Sequence, residues 1–265
     1  MNSSFYVTLP SNVFSFGHEK NVTSEYTTYL PKALELDKDL WEVAMVEIAY
    51  PHSFDNIHAP FDTVKFTFRD TETNEGIRHL GQIDNGYYGT IDSLLQAINK
   101  CKPKGFKGNF AREKLGRQHV KIVLFPFEEV KLHKTLATLL GFHDNSWIFN
   151  PSEIEGDPPE RTRIKAKFQG DLRALHYNIY VYSDIVQPHL VGSTYLPLLR
   201  TVHIEGTSGS YISKVYEVPH YLPLSSSFIE KIQIKITDDL SQNIRFMYGK
   251  VIVKLHFRRK PLLQQ

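Results

Sequence analysis

The 265-residue chain has a single cysteine, Cys101. No internal disulfide can form, and a reducing compartment is the simpler expectation, with an intermolecular bridge as the only remaining disulfide. Long apolar runs are also missing. Nothing approaches the roughly 18 residues of a bilayer-crossing helix, so no membrane-spanning segment is expected. Neither sign of charge dominates: 31 Lys and Arg stand against 29 Asp and Glu, a formal charge of +2. That balance argues against wholesale wrapping of nucleic acid by a basic chain. The opening MNSSFYVTLP has no basic n-region and its apolar segment stops at Pro10, so it does not read as a signal peptide. The sequon Asn21-Val22-Thr23 is then weak evidence for glycosylation. There is no heptad series and no repeat of solenoid or propeller length.

The familiar catalytic patterns are missing as well. Twelve histidines are present, yet there is no His-x-His and no His-Glu-x-x-His to bring imidazoles to one face around a metal. His52 and His58, with Asp55 and Asp62, read as a solvated loop set rather than ligands. His203, His220 and His256 fall in separate late segments. Cys101 sits between Lys100 and Lys102, which favours a thiolate, but no sequence-defined base accompanies it. Gly206-Thr207-Ser208-Gly209-Ser210 lacks the Lys-Ser/Thr and strand-to-helix context of phosphate loops and reads as a hairpin loop. Asp37 and Asp39 form no calcium-loop series. No catalytic residue, metal ligand or cofactor is therefore assigned, and an enzyme is not expected.

What the chain does contain is short β-type segments separated by Pro, Gly, Asn and Asp. Strands are expected near 5–9, 24–30, 40–50, 63–69, 77–83, 118–125, 161–168, 176–183, 195–204, 211–218, 228–237 and 244–257, which makes an all-β sandwich or barrel. Val64, Phe66 and Phe68 alternate with polar residues; so do Ile232, Ile234 and Ile236, and Val251, Val253, Leu255 and Phe257. Each such strand has one dry and one wet face. Segments 41–50 and 179–182 are apolar on both faces and need cover from an insertion, a loop or another subunit.

Two helices are expected. One spans 91–101, capped by Thr90 with Ile91, Leu94, Leu95 and Ile98 as its stripe. The other spans 129–140 and is ended by Gly141, with Phe142 folding back over its last turn. Between them, Lys100, Lys102, Lys104, Lys107, Arg112, Lys114, Arg117 and Lys121 crowd one Gly-rich interval against Glu113 alone. This run is a candidate contact for a polyanion or an acidic partner, with Phe106 or Phe110 available to stack on a base. A solvated insertion remains the competing reading. The interval 150–163 is irregular and broken by Pro158-Pro159.

Ordered phrases along most of the chain carry a resemblance: FYVTLP at 5–10, SEYTTYLPKALEL at 24–36, LWEVAMVEIAYPHSF at 40–54, TLLGF at 138–142, IYVYSDIVQPHLVGSTYLPLLR at 179–200, PHYLPL at 219–224 and GKVIVKLHF at 249–257. Together they resemble the penton-type minor capsid proteins of Maverick/Polinton elements and adintoviruses. The resemblance implies one jelly-roll sandwich over 1–265 with helical and loop insertions, a helix-containing insertion around 85–160 and a short tail around 259–265. It also implies a homopentamer at fivefold vertices of a double-stranded DNA virus-like capsid, in contact with a double jelly-roll major capsid protein. Location in the virion follows, with assembly in the host cell and the nucleus as a plausible compartment. The encapsidated DNA is a candidate further contact, which the basic run or Arg258-Arg259-Lys260 would meet, with a merely solubilised terminus as the competing reading of the latter.

Cyclic closure uses two different faces of each subunit. Proline and bulky side chains make shaped, preordered contacts. Two groups therefore stand as candidate subunit interfaces: Tyr50, Pro51, His52 and Phe54; and Tyr195, Pro197, Leu198 and Leu199, with Arg200 as a paired charge. The alternative for each is packing at the ends of the roll itself. A monomeric β-sandwich binding module for polyanion or carbohydrate is the rival function, and a cupin-like metal enzyme a remoter one.

Overall fold

A computed structural model of the chain describes residues 4–12, 21–70, 72–113, 118–142, 147–151, 160–174 and 176–261. The chain opens with β1 (Ser4–Pro10), β2 (Glu25–Glu35) and β3 (Trp41–Pro51). A central stretch follows, with β4 (Thr63–Arg69), β5 (Gly76–Gln82), α1 (Ile91–Lys100), β6 (Asn109–Arg112), β7 (Val120–Leu124), β8 (Glu129–Leu132), α2 (Lys134–Leu139), β9 (Ile148–Phe149) and β10 (Thr162–Lys165). The last third holds β11 (Asn178–Ser183), β12 (His189–Val191), β13 (Thr194–Leu196), β14 (Leu198–His203), β15 (Tyr211–Val215), β16 (Leu222–Pro223), β17 (Phe228–Thr237) and β18 (Ile252–Arg259). These elements form two compact units: Met1–Phe54 with Leu175–Gln265, called unit 1 here, and Asp55–Ala174, unit 2.

Unit 1 is built from eight main strands, β1, β2, β3, β11, β14, β15, β17 and β18. Counted in that order, first pairs with eighth, second with seventh, third with sixth and fourth with fifth, all antiparallel. The eighth also pairs with the third, and the fourth with the seventh. The result is two sheets, β1-β18-β3-β15 with β16 added along β3, and β14-β11-β17-β2. Both feed one buried cluster. Val43, Val253, Leu255 and Phe257 come from the first sheet, and Ile179, Val181, Ile232, Ile234 and Ile236 from the second. The alternation in β18 and β17 is thus realised as a dry inner face.

β3 was expected to be apolar on both faces, and the cause is a change of phase. Its pairing with β18 slips between Lys254 and Leu255, whose partners are Glu47 and Met45, leaving Val46 as an extra residue. Such a bulge turns the strand by one residue. Val43 and Met45 before it and Ile48 and Tyr50 after it all enter the core. β17 changes phase as well: its partners pass from Leu34 at Ile229 to Tyr29 at Lys231, so residues 30–33 of β2 bulge opposite Glu230, and Ile229 and then Ile232 both point inward.

In unit 2, β5-β4-β8-β9 form one sheet and β10-β7-β6 another. Phe66, Phe106, Ile122, Leu124, Val130 and Leu136 are buried there. Helix α1 falls where its stripe and cap place it: the Thr90 side chain accepts from the Ser93 amide at 3.1 Å, and Leu94, Leu95 and Ile98 are buried. The helix expected at 129–140 is corrected. Glu129–Leu132 is strand β8, because Val130 and Leu132 alternate inward and β4 supplies a pairing edge. Only Lys134–Leu139 is helical. Gly141, at φ +92°, ends it as expected, and the Phe142 amide returns to the Ala137 carbonyl at 2.8 Å. The interval after α1 holds strand β6, where no strand was expected; Asn109–Arg112 pairs with β7. The final strand begins at Ile252 rather than near 244.

Candidate interface surfaces

The first interface group closes the end of β3 inside unit 1. Tyr50 and Pro51 pair with Ile212 and Tyr211 of β15. The His52 amide donates to the Ser210 carbonyl at 2.8 Å, and the Gly209 amide to the His52 carbonyl at 2.9 Å. The His52 ring stacks on Phe54 at 4.5 Å; Phe54 stacks on His176 at 5.0 Å and meets Phe246 edge-on at 6.1 Å. All four residues are buried, and Gly249 presses against Pro51 closely enough that a Cβ would lie 2.9 Å from its Cγ. Burial pushes the Tyr50 phenol up to about 12 and the His52 imidazole down from its ordinary value. This group spends its surface on the chain's own packing.

The second group is divided. Tyr195 is 72% exposed on β13, which pairs only with β12 in a two-residue-turn ribbon at Gly192 (φ +60°) and Ser193. Directly opposite stands Leu190, 62% exposed. Pro197 and Leu198 are half-buried, while Leu199 lies in the core. The Arg200 guanidinium carbon sits 3.6 Å from the Tyr216 ring centre. Its charge is therefore already placed against an aromatic face within unit 1.

Sequence reasoning missed two further surfaces of unit 1. β15 is an edge strand whose outward residues Tyr211 and Val215 are 55% and 67% exposed. Exposed Tyr248 follows in the loop whose Tyr248 carbonyl accepts from the Ser53 hydroxyl. The outer face of the β1-β18-β3 sheet carries a ladder: Tyr6 stacks on His256 at 4.4 Å, His256 hydrogen-bonds the Tyr221 hydroxyl at 2.7 Å, and Arg258 lies 3.3 Å over the Tyr221 ring while holding Glu42 at 2.7 Å. Burial and Arg258 together lower the His256 pKa. The outward phase of β18, with Lys254, His256 and Arg258, was the signal available.

In unit 2 the basic run is partly consumed by its own fold. Lys102 Nζ donates to the Gly108 carbonyl at 2.5 Å, and burial lowers its pKa. Arg112 binds Asp92 at 2.7 Å and also Gln118. The buried Glu128 carboxylate accepts from the amides of Lys107, Gly108 and Phe125. Lys104 and Lys107 are exposed, Lys100 is also exposed at the end of α1, and Lys121 is half-buried on β7; Lys114 and Arg117 lie outside the described residues. Base stacking by Phe106 or Phe110 is overturned, since the two rings are only 6% and 3% exposed.

Among the described residues, no group of three His, Cys, Asp or Glu side chains is arranged to hold a metal. His58 Nδ1 lies 2.8 Å from the Ala59 carbonyl, and Asp62 accepts from Gln82 at 2.7 Å. The Cys101 thiol contacts the Ile98 carbonyl at 3.1 Å and is pushed up by burial, so the lysines beside it do not make it a thiolate. The 206–210 loop links β14 to β15, strands of different sheets, and is not a hairpin.

No family model matches the chain, and no curated protein matches it. Among solved structures, the penton protein of mavirus, from a crystal structure of its selenomethionine form, aligns with 98% of this chain and all of its own at 12% identity and a TM-score of 0.48. A chain of the Sputnik virophage, solved by cryo-EM at 3.5 Å, aligns over the full length of both at 11% identity and a TM-score of 0.49. Both scores are below 0.5, so these are distant likenesses and not assignments of fold or function.

Proposed function

We propose that the chain is a non-catalytic capsid protein of the penton type, with unit 1 a single jelly roll and unit 2 an insertion between its third and fourth main strands. The observation that carries this is the pairing of eight strands as first with eighth, second with seventh, third with sixth and fourth with fifth. That is a long antiparallel ribbon rolled once on itself, the topology shared by viral capsid domains, lectins and cupins. Fold alone does not choose among these. The ordered sequence phrases favour the capsid branch, and the described residues offer no cupin-like metal cluster.

In this reading five copies close around a fivefold vertex, each presenting one face to the next. The exposed Leu190–Tyr195 ribbon and the outward side of β15, Tyr211 and Val215, supply the two unlike faces, with Tyr195 the member of the original groups most available for contact. Contact with a double jelly-roll major capsid protein, proximity to packaged DNA and residence in the virion belong to the same reading. The solution mass by light scattering, at low and high salt, tests it. A discrete pentamer supports the vertex role, and dissociation in salt implicates polar contacts. A monomer at every concentration favours a β-sandwich binding module instead.

A further inference from the structure

Unit 2 holds a second basic surface that no run of sequence announces. On the outer face of the β5-β4-β8-β9 sheet, Lys65 of β4 stands directly opposite Lys131 of β8, both exposed. Cross-strand partners lie about 5 Å apart, and like charges so placed repel. A fold gains nothing from that pair by itself. Each lysine lines two adjoining cavities, of about 360 Å³ with Lys134 and Trp147, and of about 530 Å³ with Arg78 and Glu129. The two cavities adjoin at Lys65 and Lys131, which line both, and together they are the trough. No salt bridge among the described residues engages Lys65, Arg78, Lys131 or Lys134. Four cations thus line the two cavities, and among the described lining residues Glu129 is the one carboxylate.

We propose that this trough binds a sulfated polysaccharide chain, with Lys65 and Lys131 straddling one sulfate group and Arg78 and Lys134 meeting the groups on either side. Charge complementarity selects a polyanion. Shape then selects a thin one: groove readers of duplex DNA project a helix or ribbon outward, whereas this surface is hollow. Single-stranded nucleic acid is held largely by successive bases stacked on exposed aromatic rings; among the described lining residues Phe66 is buried, Trp147 is half-buried, and the remaining rings are the imidazoles of His79 and His133, so there is no row of exposed Phe, Tyr or Trp. Sugar rings bearing sulfates ask only for cations and hydroxyl partners. The proposal is independent of the capsid reading and concerns different residues from the 100–121 run.

The test is isothermal titration of the whole protein with a size-defined heparin hexasaccharide, its desulfated counterpart and a twelve-nucleotide single-stranded DNA. The hexasaccharide binds, the desulfated chain does not, and the DNA binds at least tenfold more weakly. Lys131→Glu replaces the repelling pair with an attractive one, so it abolishes binding while raising the melting temperature, a combination that misfolding does not produce. Lys104→Ala with Lys107→Ala leaves the affinity within twofold. Tighter binding of DNA than of hexasaccharide overturns the choice of ligand in favour of nucleic acid. Loss of binding in the Lys104/Lys107 variant but not in Lys131→Glu overturns the site, and no binding to any probe overturns the proposal.

Discussion

The two basic regions of unit 2 treat their charge in different ways. Along 100–121 the cations are neighbours in sequence, and the fold engages some of them. Arg112 is taken by Asp92, Lys102 turns back to a carbonyl, and the loop between is pinned by the Glu128 carboxylate through three amides. On the β4–β8 face the cations come from three strands and the start of α2, and two of them are set against each other. A run of like charge in sequence needs internal partners for its chain to be ordered. Charges that meet only in three dimensions, without partners, are the better sign of a ligand.

One core serves both regions, which gives the largest way to break the comparison. Phe66 lies under the trough, fully buried, and meets Phe106 of the basic run edge-on at 5.0 Å. Phe66→Ala should cost about 3–5 kcal/mol and disturb both surfaces, read by chemical denaturation and by heparin affinity together. Glu128→Ala separates them. It strands three amide donors and should cost about 2–3 kcal/mol, with faster hydrogen exchange at residues 107–108 and unchanged affinity for hexasaccharide.

Acid acts elsewhere, on unit 1. His52 and His256 both have folded-state pKa values below the unfolded value of about 6.5. The fold favours their neutral forms, so their contribution is complete above that pH. It is lost progressively as pH falls below it, toward the lower folded values. Melting temperature against pH should therefore decline below about 6.5, and His256→Gln should flatten part of that decline. Lys131→Glu should add about 0.2–1 kcal/mol to stability in the same unfolding assay. Tyr195→Asp should change stability by less than about 0.5 kcal/mol, yet it removes self-association if the ribbon is an interface.

Unit 1 was legible where a strand is long and keeps one phase. β18 and the later part of β17 show their buried faces as plain alternation; in unit 2, α1 shows its cap and stripe. β3 and the start of β17 were legible as strands but not in orientation, because a bulge, at Val46 in β3 and at residues 30–33 of β2 opposite Glu230, puts odd and even positions on the same face. In unit 2 the strands are short, and β8 reads as helix until its partner β4 is known. Of the candidate interface residues, Tyr50, Pro51, His52, Phe54 and Leu199 are bulky for the ordinary reason that they fill the chain's own interior, and sequence does not separate that from burial against a neighbour. Leu190 went unnoticed because its significance depends on Tyr195 standing opposite it across a three-residue ribbon. The Lys65–Lys131 pair is invisible for the same reason: register is a long-range property.

The capsid reading is tested most directly by imaging the purified protein in the electron microscope and averaging single particles, with Tyr195→Asp prepared alongside. Rings with fivefold symmetry in the native protein, dispersed to single subunits by the substitution, are the predicted result. Single subunits in both preparations, across the concentrations at which the protein stays soluble, would contradict a self-assembling vertex protein.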